Sequence, residues 1–451
     1  MVLTYMRNEV IYVVELHLGR RIAYTRKKSN KTQLELAKSI HVSSSHLGNI
    51  ETGKYQASND VLFLMSENMD VPISYLLNWD KANEETGQKI QRLFEAVFKN
   101  DFDEAEDLIK LLKHPIESIE QESSKYMLES VYYFKRGILN KAFAIENDYL
   151  SMFLPIDNIE DCSTEFQLYY YYYVMQSRFI KENFQESYLA GKKMLDLWDD
   201  QNGDITSIYL NLSNISMKLL YYEDSLTYIE KALSLLDTPS SNEQLYCSAY
   251  IQLSALYIKT KQYDKAINAV NELKEFVEQI NSNEIKAIVF QHIGTIYLNQ
   301  DVYHQALNYF QKSYDLIIPV PIEIVQSIII CHIRLQSFDE AKKYLLIAEK
   351  YITTEYNQML LLVYKAEILL KEGNEKEYWK IQKKTIRYFI KYNHVEKLFD
   401  IYNHLAKYYF SENRYKESAT YFMEMERLKD EKNFKENGFS FVNTNFTLNS
   451  K

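Results

Sequence analysis

Residues 32–54 read TQLELAKSIHVSSSHLGNIETGK, and this stretch decides the fold of the amino-terminal part of the chain. Thr32 and Glu35 have the spacing of a capping box, in which the hydroxyl and the carboxylate cap the first turn of a helix reciprocally. Ser43 is a good cap for a second helix, and Gly53 is a suitable stop after it. Two short helices joined by a turn of about three or four residues form a helix-turn-helix, so we predict this motif here.

The charge around this stretch differs from that of the whole chain. The 451 residues carry a formal net charge of −10. Within residues 16–55, however, eight lysines and arginines stand against two acidic residues, so this window carries +6 and the rest of the chain −16. A compact basic module on an acidic body is typical of a DNA-binding head with a separate sensing or assembly body. Such a window can also be a solvated helix face, but the motif inside it favours DNA binding.

The same stretch resembles the Xre/Cro-type helix-turn-helix family. The likeness extends over about 60 residues, because helical patterns with matching spacing precede and follow the motif. The matching residues outside the motif include Leu18, Gly19, Ile22, Arg26, Leu62, Met65, Leu76 and Leu77. The resemblance implies a domain of five helices.

The resemblance also implies roles for individual side chains. Asn49 would face the major groove from the second helix of the motif, where an asparagine can form two hydrogen bonds with adenine. Arg26 and Glu51 match a structural ion pair of the family, and Gly48 departs from the small hydroxyl residue usual at its position. Contacts with DNA phosphates and base edges are assigned to Gln33, Ser43, Ser44, Ser45, Asn49 and Lys54.

The rest of the chain repeats itself. The recurring signature is an aromatic residue, two polar residues and then alanine or serine, as in Tyr263-Asp-Lys-Ala266. Its last position recurs at a mean spacing of about 39 residues and falls at residues 105, 142, 187, 225, 266, 306, 341, 378 and 418, with weaker copies at 142 and 378. The pattern resembles tetratricopeptide repeats, whose unit is a helix-turn-helix of ~34 residues. The resemblance implies about nine helical hairpins in a right-handed superhelix with a concave groove.

Small residues lie twelve positions before the better signatures, at Ser213, Ser254, Gly294 and Ala406, and let paired helices approach closely. In this family the positions two, three and five before them, and one after, face the groove. Several carry amides, which can donate to and accept from a peptide backbone at once; a solvated helix face is the alternative. The tyrosine run 169–173 covers every helix face, which favours packing over a pocket. The predicted peptide-binding residues are Tyr172, Tyr173, Gln176, Asn211, Asn214, Gln252, Gln291, His292, Asn403 and His404.

Composition and motifs argue against other classes of protein. Only 10 glycines and 6 prolines occur, which disfavours folds with many tight turns or glycine-rich phosphate loops. Three widely spaced cysteines form neither a disulfide framework nor a zinc motif, and the sequence contains no catalytic motif that we recognise. It has no run of about 18 apolar residues and no signal-peptide pattern at its start. We therefore expect a cytoplasmic protein that is not an enzyme and has no cofactor, metal site or membrane span.

The predicted domains are an apolar extension (1–15), the helix-turn-helix domain (16–78), a linker (79–88), the repeat domain (89–433) and a polar tail (434–451). The apolar extension is either a dimer contact or the result of a misassigned start. This combination resembles the peptide-pheromone receptors of Gram-positive bacteria and their phages, the RRNPP group. The resemblance implies a homodimeric transcription regulator that binds double-stranded operator DNA and a short signalling oligopeptide, in quorum sensing or phage lysis–lysogeny control. The alternative is a scaffold that sequesters a response regulator or another protein.

Overall fold

The computed structural model describes residues 18–112, 115–154, 159–199, 204–236, 242–277, 282–352, 354–392 and 394–436. Every regular element in these ranges is a helix, which confirms the predicted all-α fold. Within them, no helix combines the length and the apolar character needed to cross a bilayer. The predicted extension 1–15 and residues 437–451 of the predicted tail lie outside the described residues.

The amino-terminal domain contains five helices, as the resemblance implied. They are α1 (18–28), α2 (Gln33–Ser39), α3 (Ser44–Glu51), α4 (Asn59–Met69) and α5 (Ile73–Leu77). Their apolar faces share one core, in which Leu36 and Leu47 have no exposed surface. A methyl group on Gly19 of α1 would overlap the carbonyl oxygens of Ile50 and Glu51. Glycine at this position therefore allows α1 to lie directly against the end of α3.

Nine pairs of consecutive helices follow in the described residues. The first four pairs are α6 (Glu84–Lys99) with α7 (Phe102–Leu111), α8 (Ile119–Lys135) with α9 (Leu139–Ile145), α11 (Thr164–Ile180) with α12 (Phe184–Leu197), and α13 (Thr206–Lys218) with α14 (Tyr222–Leu235). The helix α9 continues through a π-helical turn (Glu146–Leu150) into the short α10 (Ser151–Phe153). The other five pairs are α15 (Glu243–Lys259) with α16 (Tyr263–Val277), α17 (Asn283–Asn299) with α18 (Tyr303–Leu316), α19 (Ile322–Arg334) with α20 (Phe338–Ala348), α21 (Glu355–Lys371) with α22 (Glu375–Lys391), and α23 (Val395–Ser411) with α24 (Tyr415–Glu436). Their number agrees with the nine copies of the repeat signature.

The repeat signature marks buried positions in these pairs. Its last residue is buried in all nine copies, including the weak ones. Between α13 and α14, the hydroxyl oxygens of Ser213 and Ser225 lie 3.0 Å apart. Between α17 and α18, a Cβ atom on Gly294 would lie 2.8 Å from ring atoms of Phe310, closer than real Cβ contacts. In these two pairs, small residues therefore let the helices pack closely.

Each helix pair turns through one residue with left-handed backbone geometry, two positions before the signature begins. This geometry favours glycine, because a side chain is strained there. Only two of the nine residues are glycine, which is how a chain with few glycines makes nine tight turns. The residues are Asn100, Gly137, Glu182, Leu220, Lys261, Asp301, Gln336, Gly373 and Asn413.

The chain divides into two compact units, with the boundary after Thr260. In the first unit, an apolar core runs from α6 to α14, separately from the core of the amino-terminal domain. In the second unit, one core extends from α18 to α21 and another from α21 to α24. Within these cores each pair buries its apolar faces against its neighbours along the chain, as stacked repeats do.

The segment between α5 and α6 is shorter than the predicted linker 79–88. The helix α6 begins at Glu84, where the side chain of Asn83 accepts a hydrogen bond from the Thr86 N–H at 2.9 Å and caps the first turn. Trp79 packs against the apolar core of the first repeats. The polar composition of this stretch therefore reflects a capped helix start and not a free tether.

A buried polar network joins the amino-terminal domain to the second helix pair. Arg21 of α1 is fully buried and donates to the Tyr75 carbonyl oxygen at 2.8 Å and to Glu122 Oε2 at 3.0 Å. The hydroxyl groups of Tyr75 and Tyr149 donate to the same carboxylate at 3.0 and 2.9 Å. The guanidinium also lies 4.1 Å from the centre of the Tyr75 ring. The domain is thus attached to α8 by a charged group that two tyrosines shield from water.

Candidate functional site

The motif helices α2 and α3 begin at the caps that the sequence predicted. The Thr32 hydroxyl accepts a hydrogen bond from the Glu35 N–H at 3.2 Å, and the Glu35 carboxylate accepts one from the Thr32 N–H at 2.7 Å. These bonds hold the pKa of Glu35 below its ordinary value. The Ser43 hydroxyl accepts from the His46 N–H at 3.0 Å. Ser43 therefore starts α3, whatever contact it makes with a ligand.

The helix α3 has a buried face and an open face. Leu47 and Ile50 pack into the domain core with at most 2% of their surface exposed. Surface remains open on the predicted DNA contacts Ser43, Ser44, Ser45, Asn49 and Lys54. The same domain exposes the cationic side chains of Lys27, Lys28, Lys38 and Lys54. The open face thus presents short polar side chains, and the domain that carries it also exposes the kind of positive charge that phosphate contacts require.

Beside the open face, three side chains form a buried cluster. Arg26 donates through Nε to Glu51 Oε1 at 2.6 Å and through Nη2 to Glu51 Oε2 at 3.0 Å, so the ion pair that the resemblance implied is present. Gln33 donates through Nε2 to the same carboxylate at 2.7 Å. One N–H of the Gln33 amide thus helps to hold α2 against α3, and the rest of this half-buried side chain remains for the predicted contact with DNA.

Two of the predicted peptide-binding residues belong to the core of the first unit. Tyr172 is fully buried, and its ring centre lies 5.7 Å from those of Phe94 and Phe98. Tyr173 is 6% exposed and donates its hydroxyl hydrogen to Glu146 at 2.7 Å. The groove assignment of both residues is wrong for this structure, because α11 is packed between α8 and α12 and these tyrosines fill the spaces between the helices.

In the second unit a cavity of about 550 Å³ lies against the first helices of successive pairs. Its walls come from α19, α21, α22 and α23, and from the start of α18 and the turn before it. We call it the second-unit cavity and define it by Arg334, Tyr364, Glu367, Asn403 and His404. The two predicted residues Asn403 and His404 are in its wall, as are the other groove positions of that repeat, Ile401 and Lys407. Its volume is in the range of small-ligand sites.

Ionic side chains line one part of this cavity. Glu367 forms an ion pair with Arg334, and its Oε1 lies 3.8 Å from His404 Nε2. Lys397 and Asp400 form a second, longer pair of 3.5 Å. Burial lowers the pKa of His404, and the nearby Glu367 carboxylate offsets part of that effect. A neutral imidazole offers one donor and one acceptor, so this wall can bind polar groups of either kind.

The other predicted amide and histidine positions keep part of their surface open. They are half-buried on four helices: Gln176 on α11, Asn211 and Asn214 on α13, Gln252 on α15, and Gln291 and His292 on α17. Gln252 donates to the Ser248 hydroxyl at 3.4 Å, while its buried Oε1 has no partner among the described residues. Burial lowers the pKa of His292. Gln291 and His292 are not among the described residues that line the second-unit cavity.

Sequence reasoning missed other lining residues of this cavity. Ala366 is fully buried and lies twelve residues before the weak signature copy that ends at Tyr378, so it occupies the small position of its repeat. Tyr364 and Glu367, two before and one after it, line the cavity. The groove rule applied to this weak copy finds them. Arg334 has no such signal, because it lies five residues after the corresponding position, Ile329, and the groove rule selects no residue that far after it.

Comparisons with protein families support both parts of this architecture. The Helix-turn-helix family matches residues 22–76, and the Tetratricopeptide repeat family matches residues 248–275. A search of curated proteins finds no match. The fold and the candidate sites thus define a class of protein, with a helix-turn-helix domain followed by tetratricopeptide-like helical repeats.

Solved structures with this fold include bacterial sensors. The chain is 16% identical to the apo form of the quorum sensor NprR from B. thuringiensis, over 77% of this chain and 99% of that chain, with a TM-score of 0.62. NprR in complex with its cognate peptide NprX is 18% identical, over 78% of this chain and 99% of that chain, with a TM-score of 0.54. A Rap protein complexed with competence and sporulation factor is 14% identical, over 78% of this chain and 99% of that chain, with a TM-score of 0.63. At these identities the likeness is one of fold, and it confirms the fold that the RRNPP resemblance implied.

Proposed function

We propose that this chain is a cytoplasmic, non-catalytic transcription regulator that responds to a peptide. As a homodimer it binds operator DNA through α2 and α3, and it binds a short signalling peptide on the first helices of its repeats. Its biological role is quorum sensing or phage lysis–lysogeny control. The observation that carries the proposal is the second-unit cavity, in a chain that also has a basic helix-turn-helix domain and the fold of the peptide-binding sensor NprR.

The peptide half of the proposal is supported by the chemistry of the cavity wall. A bound peptide presents N–H donors and carbonyl acceptors along its length, and Asn403 supplies both kinds of partner. A neutral His404 does the same with its two ring nitrogens. Lys407 and Asp400 add one charge of each sign for the ends or side chains of a peptide. Apolar contacts come from Tyr364, among others.

The DNA half is supported by the surface of α3. Ser45 is exposed and the half-buried Asn49 keeps part of its surface open, and an asparagine can read adenine in the major groove. Exposed lysines of the same domain neutralise phosphates without reading sequence. One helix-turn-helix reads one half-site, so a dimer is needed to span a palindrome.

Two further observations support the homodimer and the compartment. The last described helix pair exposes Phe410, Phe422 and Met423, with 61%, 45% and 73% of their surface open, an apolar surface of the kind that binds a second copy. The thiols of Cys247 and Cys331 are buried and unpaired, and burial raises their pKa to about 11 and about 12. Thiols that stay protonated and reduced suit the cytoplasm.

The experiment is peptide capture followed by mass spectrometry. The immobilised full-length chain is incubated with the short peptides secreted by the organism that encodes it. We expect wild type to enrich one short peptide and the double variant Asn403→Ala/His404→Ala to lose it. The matched control is Asn308→Ala/His304→Ala, which removes the same side-chain types from exposed positions on α18 and should retain the peptide.

The outcomes separate the proposal from its alternative. A peptide that binds the site variant as tightly as the control would refute the assignment of the cavity. Capture of a response regulator or another protein from the cell extract, with no enriched peptide, would favour the scaffold function. A captured peptide that changes the mobility shift of a duplex selected from a random library would support the complete proposal.

A further inference from the structure

The first unit has a cavity of its own where the amino-terminal domain joins the first helix pairs. Its volume is about 580 Å³. Trp79, from the segment between α5 and α6, forms one wall, and Phe153, Phe166 and Tyr169 form others. We call it the junction cavity and define it by these four residues. Among the described residues, none that lines the second-unit cavity contributes to it, so it is a separate site.

The polar lining of the junction cavity has one sign of charge. Its described lining includes the carboxylates of Asp80, Glu120 and Glu165 but no lysine, arginine or histidine. Glu120 accepts a hydrogen bond from Ser163, whereas Asp80 and Glu165 are exposed at the edge. Aromatic faces attract cations, and carboxylates add to that attraction while repelling anions. The chemistry therefore selects a ligand with an apolar or aromatic body and one positive charge.

The junction cavity is in contact with the network that attaches the amino-terminal domain. Ser123 lines the cavity, and its hydroxyl oxygen lies 3.3 Å from that of Tyr149. Tyr149 donates to Glu122, which accepts from Arg21. The carbonyl oxygen of Trp79, which also lines the cavity, accepts from a backbone N–H at the start of α8 at 2.8 Å. A ligand that presses on Ser123 or Trp79 acts directly on the contacts that hold the domain.

We propose that the junction cavity is a second ligand site, which takes an amphipathic cation and, when occupied, tightens the attachment of the helix-turn-helix domain to the repeats. The shared chemistry is an ammonium group on an apolar body, whether that of a free amine or of the amino-terminal end of a peptide. The site differs from the peptide cavity of the proposed function and does not depend on it. It places a ligand site directly beside the DNA-binding domain.

The binding test uses the full-length chain and isothermal titration. Phenethylamine is the cationic probe, phenylacetate is its anionic counterpart, and the dipeptide amide Phe-Ala-NH₂ represents a peptide end. We expect phenethylamine to bind at least about tenfold more tightly than phenylacetate. A tighter dipeptide amide would identify a peptide end as the source, and a weaker one a free amine; either result is consistent with the site. Equal affinity for amine and acid, or no saturable binding of either cation, would overturn the proposal.

Variants locate the bound cation. Gly87→Leu fills the cavity from α6, where a Cβ atom meets only the end of a flexible side chain, Gln121, at 3.3 Å, so we expect loss of binding with the fold retained. Glu165→Gln removes a charge at the edge and should weaken phenethylamine several-fold. Glu186→Gln, an equally exposed carboxylate outside the cavity, should leave the affinity unchanged. Unaltered binding in Gly87→Leu would place the probe elsewhere and overturn the assignment.

The attachment of the domain is read by hydrogen–deuterium exchange. Phenethylamine should slow exchange of backbone amides in α1 and α5 in wild type. In Tyr149→Phe, which removes the hydroxyl between Ser123 and Glu122, binding should persist while this protection in α1 is reduced. Saturable binding without any change in exchange in α1 or α5 would overturn the link to the DNA-binding domain.

Discussion

Replacing Arg21 with methionine tests the buried network that attaches the amino-terminal domain. Both partners of the Arg21–Glu122 ion pair are inaccessible, with 0% and 1% of their side-chain surface exposed. Arg21→Met keeps most of the side-chain volume but leaves the Glu122 carboxylate buried, with the Tyr75 and Tyr149 hydroxyls as its described donors. Removing one partner of a buried pair typically costs about 3–5 kcal/mol, because the other charge stays buried without compensation. We expect a loss of this size in the free energy of unfolding.

The assay is urea denaturation followed by tryptophan fluorescence, with two comparison variants. Lys89→Met breaks an exposed pair, in which Lys89 lies 2.6 Å from Glu85 and the glutamate is 77% exposed, so it should cost less than about 1 kcal/mol. Arg21→Met/Glu122→Leu replaces both buried charges with apolar groups and should recover most of the stability lost by the single variant.

The two variants give the reasoning two ways to fail. If Arg21→Met costs no more than Lys89→Met, the buried charge is compensated by water or movement and the network does not hold the domain. If the double variant is as unstable as Arg21→Met, the loss comes from packing and from the tyrosine hydrogen bonds, and not from an unpaired carboxylate.

Three further predictions concern packing, pH and DNA. Gly294→Ala should destabilise the second unit by about 1–3 kcal/mol through overpacking. Gly48→Ala, whose Cβ meets nothing nearer than 3.9 Å, should stabilise α3 by up to ~1 kcal/mol. The melting temperatures of the two variants and of wild type measure both effects. The pKa of His292 in the folded chain lies below its ordinary value of 6.5, so the unfolded chain binds more protons as the pH falls from about 7 to about 5. Wild type should therefore lose more stability over this range than the His292→Gln variant. An equal loss would contradict the burial of the ring. In mobility-shift titrations, Asn49→Ala should cost about 1–3 kcal/mol on the preferred duplex only, and Lys54→Ala should weaken all duplexes and reduce the slope of affinity against salt; a uniform effect of both would refute base reading by Asn49.

Local features of the fold follow directly from the sequence. The caps of Thr32 and Ser43 involve partners three residues away, so their hydrogen bonds form as soon as the helix turns and depend on little else. The repeat signature is local in the same sense, because a small residue and an aromatic residue at fixed spacing describe one helix pair. This is why the nine pairs and the helix-turn-helix motif can be read without a structure.

The low glycine content does not exclude tight turns, although the composition disfavoured a fold with many of them. Glycine is favoured at a left-handed turn position but not required, because the cost of a side chain there is small beside the burial that a helix pair gains. Residues such as Leu220 and Gln336 hold that geometry in this chain. A scarcity of glycine therefore excludes glycine-rich phosphate loops more securely than it excludes tight turns.

The sequence alone determined the all-α class, the helix-turn-helix and the number of repeats, and it predicts Asn403 and His404 as groove positions. Only the tertiary structure decided that Tyr172 fills the core and that Glu367 lies beside Arg334 and His404. It alone brings Arg21 to Glu122 across 101 positions of the chain. The physical reason is range: caps and repeat signatures express interactions within one or two helices, whereas a cavity or a buried ion pair depends on how separate helix pairs stack, and each helix face has the same local pattern whether a neighbour covers it or not.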